Sequence, residues 1–130
     1  MAISPEDGIF VFRKPLMIVV RVPFLWVSGM ALFPFVLVRT KRPDAVLLHH
    51  ERIHLRQQLE LGVIPFYVWY LLEYLVRRWQ FRDHYEAYRN ISFEREAFEN
   101  EHDLTYWKTR KWYGFLNYRN RTHEPPGGPV

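Results

Sequence analysis

The sequence contains no cysteine, which excludes disulfide bonds and thiolate metal sites. Any metal ion must therefore be held by histidine, aspartate or glutamate, a ligand set more typical of catalytic than of structural zinc. Long apolar runs are also lacking. The longest, from Leu61 to Val76, spans about 16 residues and contains Glu73, whereas a membrane-spanning helix needs roughly 20. A membrane helix over 16–38 is disfavoured because it would have to include Arg21, Pro23 and Pro34.

The length and composition predict one globular domain. The chain has 130 residues, of which 48% are hydrophobic and 18% are aromatic, enough for a modest core. We expect a single domain over residues 1–122. Residues 123–130 are rich in proline and glycine and are expected to form a disordered tail.

Acidic residues are absent from 8–43, which carry six basic ones, and from 104–123, which carry five. Such segments suit an anionic membrane surface or nucleic acid. Aromatic residues alternate with basic ones around Trp107, Lys108 and Trp112, but no nucleic-acid-binding signature accompanies them, so this partner is disfavoured. Because Glu6 and Asp7 stand in place of a basic leader, we expect a cytoplasmic protein, with the inner face of the membrane as an alternative site.

Short apolar runs rich in β-branched and aromatic residues occupy the N-terminal third. They are 9–12, 17–20, 31–33 and 35–38, separated by prolines and Gly29, and they predict two to four short strands. Pro34 marks the last run as an edge strand or a bulge, because proline cannot donate to a strand ladder. The expected fold class is therefore α+β, a small N-terminal β region with an edge strand followed by three to four helices.

The rest of the chain predicts helices. Asp44 is a candidate N-cap for a helix over 45–61, and Gly62 a candidate C-cap. A second, apolar helix follows from Pro65 to about Arg78. We expect it in the core, although its tyrosines and tryptophans also fit a helix lying at a membrane interface. A third helix is expected over about 83–101 and a fourth over about 104–116.

One pentapeptide carries the clearest chemical signal, the motif H-E-x-x-H formed by His50-Glu51-Arg52-Ile53-His54. Histidines four residues apart project from the same side of a helix, so His50 and His54 can bind one Zn²⁺. Glu51 then lies beside the metal, where it can take a proton from a water whose pKa zinc lowers to about 7. This pattern is typical of a metallopeptidase site.

A catalytic zinc site needs a third protein ligand. The chain after His54 does not contain the glycine and third histidine that continue the motif in metzincins. The alternative is a glutamate from a later helix. The acidic segment 93–101 offers Glu94, Glu96 and Glu101, and the residues alone leave the choice among them open.

The two motifs together resemble the gluzincins, in which H-E-x-x-H is followed on a later helix by Glu-x-x-Ala and an acidic residue. Glu94 to Ala97 matches the second motif, and the resemblance, strongest to the small minigluzincins, covers about 31–101. It implies a zincin-like fold with Glu94 as the third zinc ligand. Phe98 stands where the family has its acidic residue, a role that Glu99 or Glu101 is expected to fill.

The resemblance also implies where a peptide substrate binds. In the family the strand before the motif lines the cleft and pairs with an extended peptide, which here indicates Leu32, Phe33, Phe35 and Val36. We therefore expect a zinc-dependent metallopeptidase that acts on a peptide or protein. The alternative is a non-catalytic zinc-binding protein or a small subunit associated with a membrane complex.

Overall fold

The computed structural model describes residues 9–12 and 17–119. Four strands form one sheet in the order β1-β2-β4-β3: β1 is Ile9–Phe12, β2 Met17–Arg21, β3 Gly29–Leu32 and β4 Phe35–Val38. β2 and β4 are parallel, while the other neighbours are antiparallel. This confirms the predicted small β region and, with the helices that follow, the α+β class.

The sheet packs one face against the first helix. Alternate residues of the strands point to that helix and form a core with its Leu55: Met17, Val19, Ala31, Val36 and Val38. The interpretation of Pro34 is wrong. Pro34 lies in the turn between β3 and β4, after a cis peptide bond, and β4 is an inner strand. The edge strand beside the helices is β3.

The helix α1 spans Ala45–Leu61 and has the predicted ends. The carboxylate of Asp44 accepts a hydrogen bond from the Leu47 backbone N–H at 2.8 Å, which satisfies one of the free donors at the helix start. Gly62 ends α1 with a φ of 91° and begins α2, Val63–Gln80. Only glycine adopts this conformation readily, and it sets the two helices at 110°.

The expectation that α2 is a core helix holds for one of its sides. Phe66 is fully buried in a second core with Ile91, Phe93 and Phe115, and the tyrosines of α2 pack around it. The other side is exposed although it is apolar. Within 9–12 and 17–119, no single helix is long and apolar enough to span a membrane.

The third helix was predicted as one continuous element, and this prediction is wrong. The chain forms α3, His84–Arg89, and α4, Ser92–Asn100, with a break at Asn90 and Ile91. The Glu73 carboxylate of α2 accepts hydrogen bonds from the backbone N–H and the hydroxyl of Ser92. A carboxylate at a helix start stabilises the free N–H groups and the helix dipole, so a partner distant in sequence fixes where α4 begins.

The extent predicted for the fourth helix is also wrong. In its place the chain forms α5, Tyr106–Thr109, and a 3₁₀ helix, Gly114–Tyr118. Between them, the buried Arg110 guanidinium binds the carboxylates of Glu60 and Glu96 at 2.6 and 2.7 Å. These ion pairs hold the C-terminal segment against α1 and α4. The predicted tail, 123–130, lies outside the described residues.

Candidate metal centre

Three side-chain atoms converge between α1 and α4. The Nε2 atoms of His50 and His54 are 3.2 Å apart, and Oε1 of Glu94 is 3.1 Å from each. All three side chains are buried. The structure thus brings together the predicted trio, a group that could hold a metal ion.

Helix geometry and the α1–α4 contact place these three side chains. His50 and His54 lie one turn apart in the middle of α1. Glu94 lies in the first turn of α4, where its negative charge is favoured by the helix dipole. Its other oxygen, Oε2, accepts a hydrogen bond of 2.7 Å from the Tyr70 hydroxyl of α2. Three helices therefore orient the carboxylate.

The second nitrogen of each histidine has an oxygen partner. Nδ1 of His50 lies 2.8 Å from Oε2 of Glu101, and Nδ1 of His54 lies 2.7 Å from Oε1 of Gln57. These acceptors place the protons on Nδ1, as second partners of metal-bound histidines do. Both Nε2 lone pairs then face an oxygen of Glu94. Three acceptors this close repel one another unless a cation lies among them, so the donor set fits a metal ion.

The pKa values of these groups show the same attraction for positive charge. Burial alone would lower the pKa of His50, but hydrogen bonds to Glu101 and Glu94 outweigh it and raise that pKa to about 10. For Glu94 the directions are reversed. Burial alone would raise the pKa of its carboxyl group, but the two histidines outweigh burial and hold that pKa below its usual value. Without a metal ion, protonated imidazole rings would therefore balance the negative charge of the carboxylates.

Glu51 lies beside the trio in the wall of the same cleft. Burial raises the pKa of its carboxyl group, and the nearby His54 and His50 counteract this only in part. Gly29 of β3 approaches this side chain closely. A Cβ atom at position 29 would be 3.2 Å from Oε2 of Glu51, so glycine there gives the carboxylate room.

The cleft has a volume of about 1010 Å³. Ser28 and the edge strand β3 up to Ala31 form one wall, and α2 forms another with Tyr67 and Tyr70. The Tyr67 hydroxyl and Nε2 of Gln58 both donate to the Ala31 carbonyl oxygen. Burial and the charge of Glu51 raise the pKa of Tyr67 to about 12, which keeps its hydroxyl a donor near neutral pH.

The four residues predicted to contact a substrate lie outside the wall of this cleft. Val36 is fully buried in the core on β4. Leu32 and Phe35 are partly exposed and flank the turn between β3 and β4. The backbone N–H of Phe33 donates to Oε1 of Gln58 at 2.7 Å. None of these four residues is in the cleft wall. The segment that lines the cleft, Ser28 to Ala31, comes just before these four residues in the chain.

The other acidic candidates and the extra histidines have separate partners. Glu96 is buried and bonded to Arg110 and Gln57, and so it is not directed at the trio. Nδ1 of His49 lies 3.2 Å from the backbone oxygen of Glu101. His102 is mostly exposed.

One contributor was not identified from the sequence, and a second was identified only as one of two alternatives. Gln57 follows His54 by three residues on the same side of α1, a spacing that could have indicated its hydrogen bond to the ring. Glu101 was one of two residues expected to take the place of the family's acidic residue, and its carboxylate lies beside Nδ1 of His50. Phe98 packs edge-on against His50 with the ring centres 4.5 Å apart, so it shields the ligand that Glu101 orients.

Comparisons with known protein families, with characterised proteins and with solved structures find no match for this chain. The interpretation of the centre therefore depends on its own geometry.

Proposed function

We propose that this protein is a zinc-dependent peptidase of the gluzincin type, with His50, His54 and Glu94 as zinc ligands and Glu51 as general base. The observation that carries the proposal is the convergence of two Nε2 atoms and one carboxylate oxygen within 3.1–3.2 Å of one another, with Glu51 in the wall of the same cleft.

The ligand set favours zinc over calcium and magnesium. Two imidazoles and one carboxylate are typical of catalytic zinc, whereas calcium and magnesium prefer oxygen ligands. Oxygen partners on both Nδ1 atoms orient the rings toward one point. When bound in such a site, zinc lowers the pKa of water to about 7 and polarises a carbonyl group.

Glu51 supplies the proton transfers. Its raised pKa makes its carboxylate a better proton acceptor than an exposed glutamate at neutral pH. In the proposed reaction the carboxylate removes a proton from the attacking water and later delivers it to the leaving nitrogen. Each turnover thus returns Glu51 to the ionised form.

The edge of β3 offers a place for an extended substrate. Ser28 accepts a hydrogen bond from the Arg39 N–H on the β4 side. By the alternation of an antiparallel ladder, the polar backbone atoms of Gly29 and Ala31 point to the other side, toward α1 and α2. The Ala31 carbonyl is already bonded to Gln58 and Tyr67. A peptide would therefore pair chiefly with the backbone of Gly29.

The test compares the wild-type protein with Glu51→Gln, using bound zinc and cleavage of a peptide library as separate measurements. We expect one zinc per wild-type chain and cleavage of some peptides. Glu51→Gln is expected to keep the zinc and to lose cleavage by at least a hundredfold, the usual contribution of a general base. Glu99→Gln makes the same chemical change on α4, at a carboxylate paired with Arg95, and should leave both measurements unchanged.

Full turnover in Glu51→Gln would contradict the proposed mechanism. Zinc bound by the wild-type protein without cleavage of any peptide would instead favour the non-catalytic zinc protein. His54→Ala should lose the metal. If it bound zinc as tightly as the wild-type protein, the ligand assignment would be wrong.

A further inference from the structure

One side of α2 is both apolar and exposed. Seven residues spaced at three and four positions form this outward face, and each is more than half exposed: Ile64, Val68, Leu71, Leu72, Leu75, Val76 and Trp79. No charged residue lies among them. A helix at the surface of a water-soluble protein ordinarily turns charged residues outward. A continuous exposed apolar stripe therefore indicates an interaction surface.

The inner side of α2 is occupied. Phe66, Trp69 and Tyr70 pack with Phe93. The acid within the helix, Glu73, is bonded to Trp69 and Ser92. The outward face is thus not a core face left uncovered by a small rotation of the helix.

The outward face continues to the mouth of the metal cleft. Leu71 belongs both to the face and to the cleft wall. Trp26, in the loop between β2 and β3, lines the same cleft and is 77% exposed, and Phe24 beside it is 88% exposed. Exposed aromatic residues therefore stand on the strand side of the mouth, across from the apolar side of the helix.

Positive charge borders this surface. Arg78 follows Leu75 by three residues on α2, Arg82 is exposed just beyond the helix, and Arg39 is exposed at the cleft wall. The nearest acid after α2 in sequence, Asp83, accepts the Glu86 backbone N–H at the start of α3. Arginines beside an apolar, tryptophan-bearing helix face complement a surface of anionic lipid.

We propose that the outward face of α2 docks on an anionic lipid bilayer, with α2 lying in the plane of the headgroups and the cleft mouth at the membrane surface. The apolar side chains would enter the boundary between headgroups and acyl chains, and Trp79 and Trp26 would lie at the interface that tryptophan prefers. Arg78, Arg82 and Arg39 would contact lipid phosphates. This docking is independent of the proposed hydrolysis.

The experiment measures cosedimentation of the full chain with vesicles of phosphatidylcholine, with or without phosphatidylglycerol. We expect binding to the anionic vesicles, weaker binding to the neutral ones, and a decrease with salt. The double variant Leu75→Glu/Trp79→Glu should bind anionic vesicles at least about tenfold more weakly, because both apolar contacts are replaced by charges that anionic lipid repels. The control Leu104→Glu/Trp107→Glu changes the same residue types at exposed positions outside the face and should bind as the wild-type protein does.

The charge contribution is tested with Arg78→Gln/Arg82→Gln, which should lose much of the preference for anionic vesicles. Circular dichroism establishes that each variant is folded, and Glu51→Gln and His54→Ala should bind vesicles normally. The proposal fails if the wild-type protein ignores anionic vesicles, or if the control loses as much binding as the α2 variant. A dimer in vesicle-free solution that Leu75→Glu/Trp79→Glu dissociates would assign the face to a second copy and overturn the proposal as well.

Discussion

At the scale of single residues, the candidate centre depends on which atom of each side chain faces the ligand point. His50 and His54 are oriented by oxygens of Glu101 and Gln57, and Glu94 is oriented by Tyr70. Each potential ligand therefore has a second partner that fixes its rotamer. Such partners commonly change metal affinity by 10- to 100-fold when they are removed.

Glu101→Ala removes the acceptor for the His50 ring. We expect zinc to bind about 10- to 100-fold more weakly, because the imidazole loses both its orientation and a negative neighbour. Glu101→Gln keeps an oxygen acceptor and should fall between the alanine variant and the wild-type protein. Competition with a chromophoric chelator measures the affinity. Unchanged affinity in Glu101→Ala would contradict the assigned role, and Glu99→Gln serves as the control.

Zinc binding should release protons near neutral pH. The pKa of His50 is raised to about 10 in the metal-free protein, so this ring is protonated at pH 7, whereas a metal ligand must be neutral. At least one proton should leave per zinc bound, because Glu94 also raises the pKa of His54 despite the burial of that ring. The apparent affinity should rise with pH up to about 10. Calorimetry in two buffers with different ionisation enthalpies counts the protons. Equal binding heats in both buffers would contradict this expectation.

At the scale of elements, the positions of α2 and α4 decide which groups meet. Gly62 allows α2 to turn back at 110°, which brings Tyr67 and Tyr70 to the cleft. Glu73 then reaches from α2 to Ser92 at the start of α4. The link at Gly62 and the carboxylate of Glu73 therefore position two of the helices that surround the candidate metal centre.

Gly62→Ala tests the link. A side chain at a φ of 91° is strained, and we expect the free energy of unfolding to fall by about 1–3 kcal/mol. Urea denaturation followed by circular dichroism measures the change. Leu59→Ala, at a half-exposed position in the last turns of α1, is the control and should cost less than about 1 kcal/mol. A neutral Gly62→Ala would show that the turn tolerates a side chain.

The sequence predicted local features better than distant ones. Four short apolar runs identified the strands, and Asp44 and Gly62 identified both ends of α1, because capping and turn chemistry act between near neighbours. The break before α4 depends on Glu73, 19 residues earlier, and no periodicity reports that contact. The edge position of β3 depends on strand order, which residue patterns do not specify. The segment that lines the cleft accordingly comes just before the four predicted residues.

At the scale of the whole molecule, metal binding would connect parts of the chain that are far apart in sequence. His54 and Glu94 are separated by 40 residues, and α1 and α4 also meet through Gln57 and Glu96. A ligand that binds only the folded state stabilises it by about 2.7 kcal/mol at a hundredfold excess over Kd. Stability should therefore depend on the metal.

Zinc should raise the Tm of the wild-type protein by roughly 10 °C at a free concentration of about a hundred times Kd. Differential scanning calorimetry, with and without a chelator, measures the shift. His54→Ala and Glu94→Gln should show little of it, because each removes one ligand. A shift of equal size in these variants would mean that zinc stabilises the fold at another place.

Glu94 lies in α4, and Glu101 is the residue that ends this helix. The first carboxylate is a candidate ligand and the second orients His50, so one short segment carries both. A displacement of this segment would withdraw both carboxylates from the histidines in a single motion.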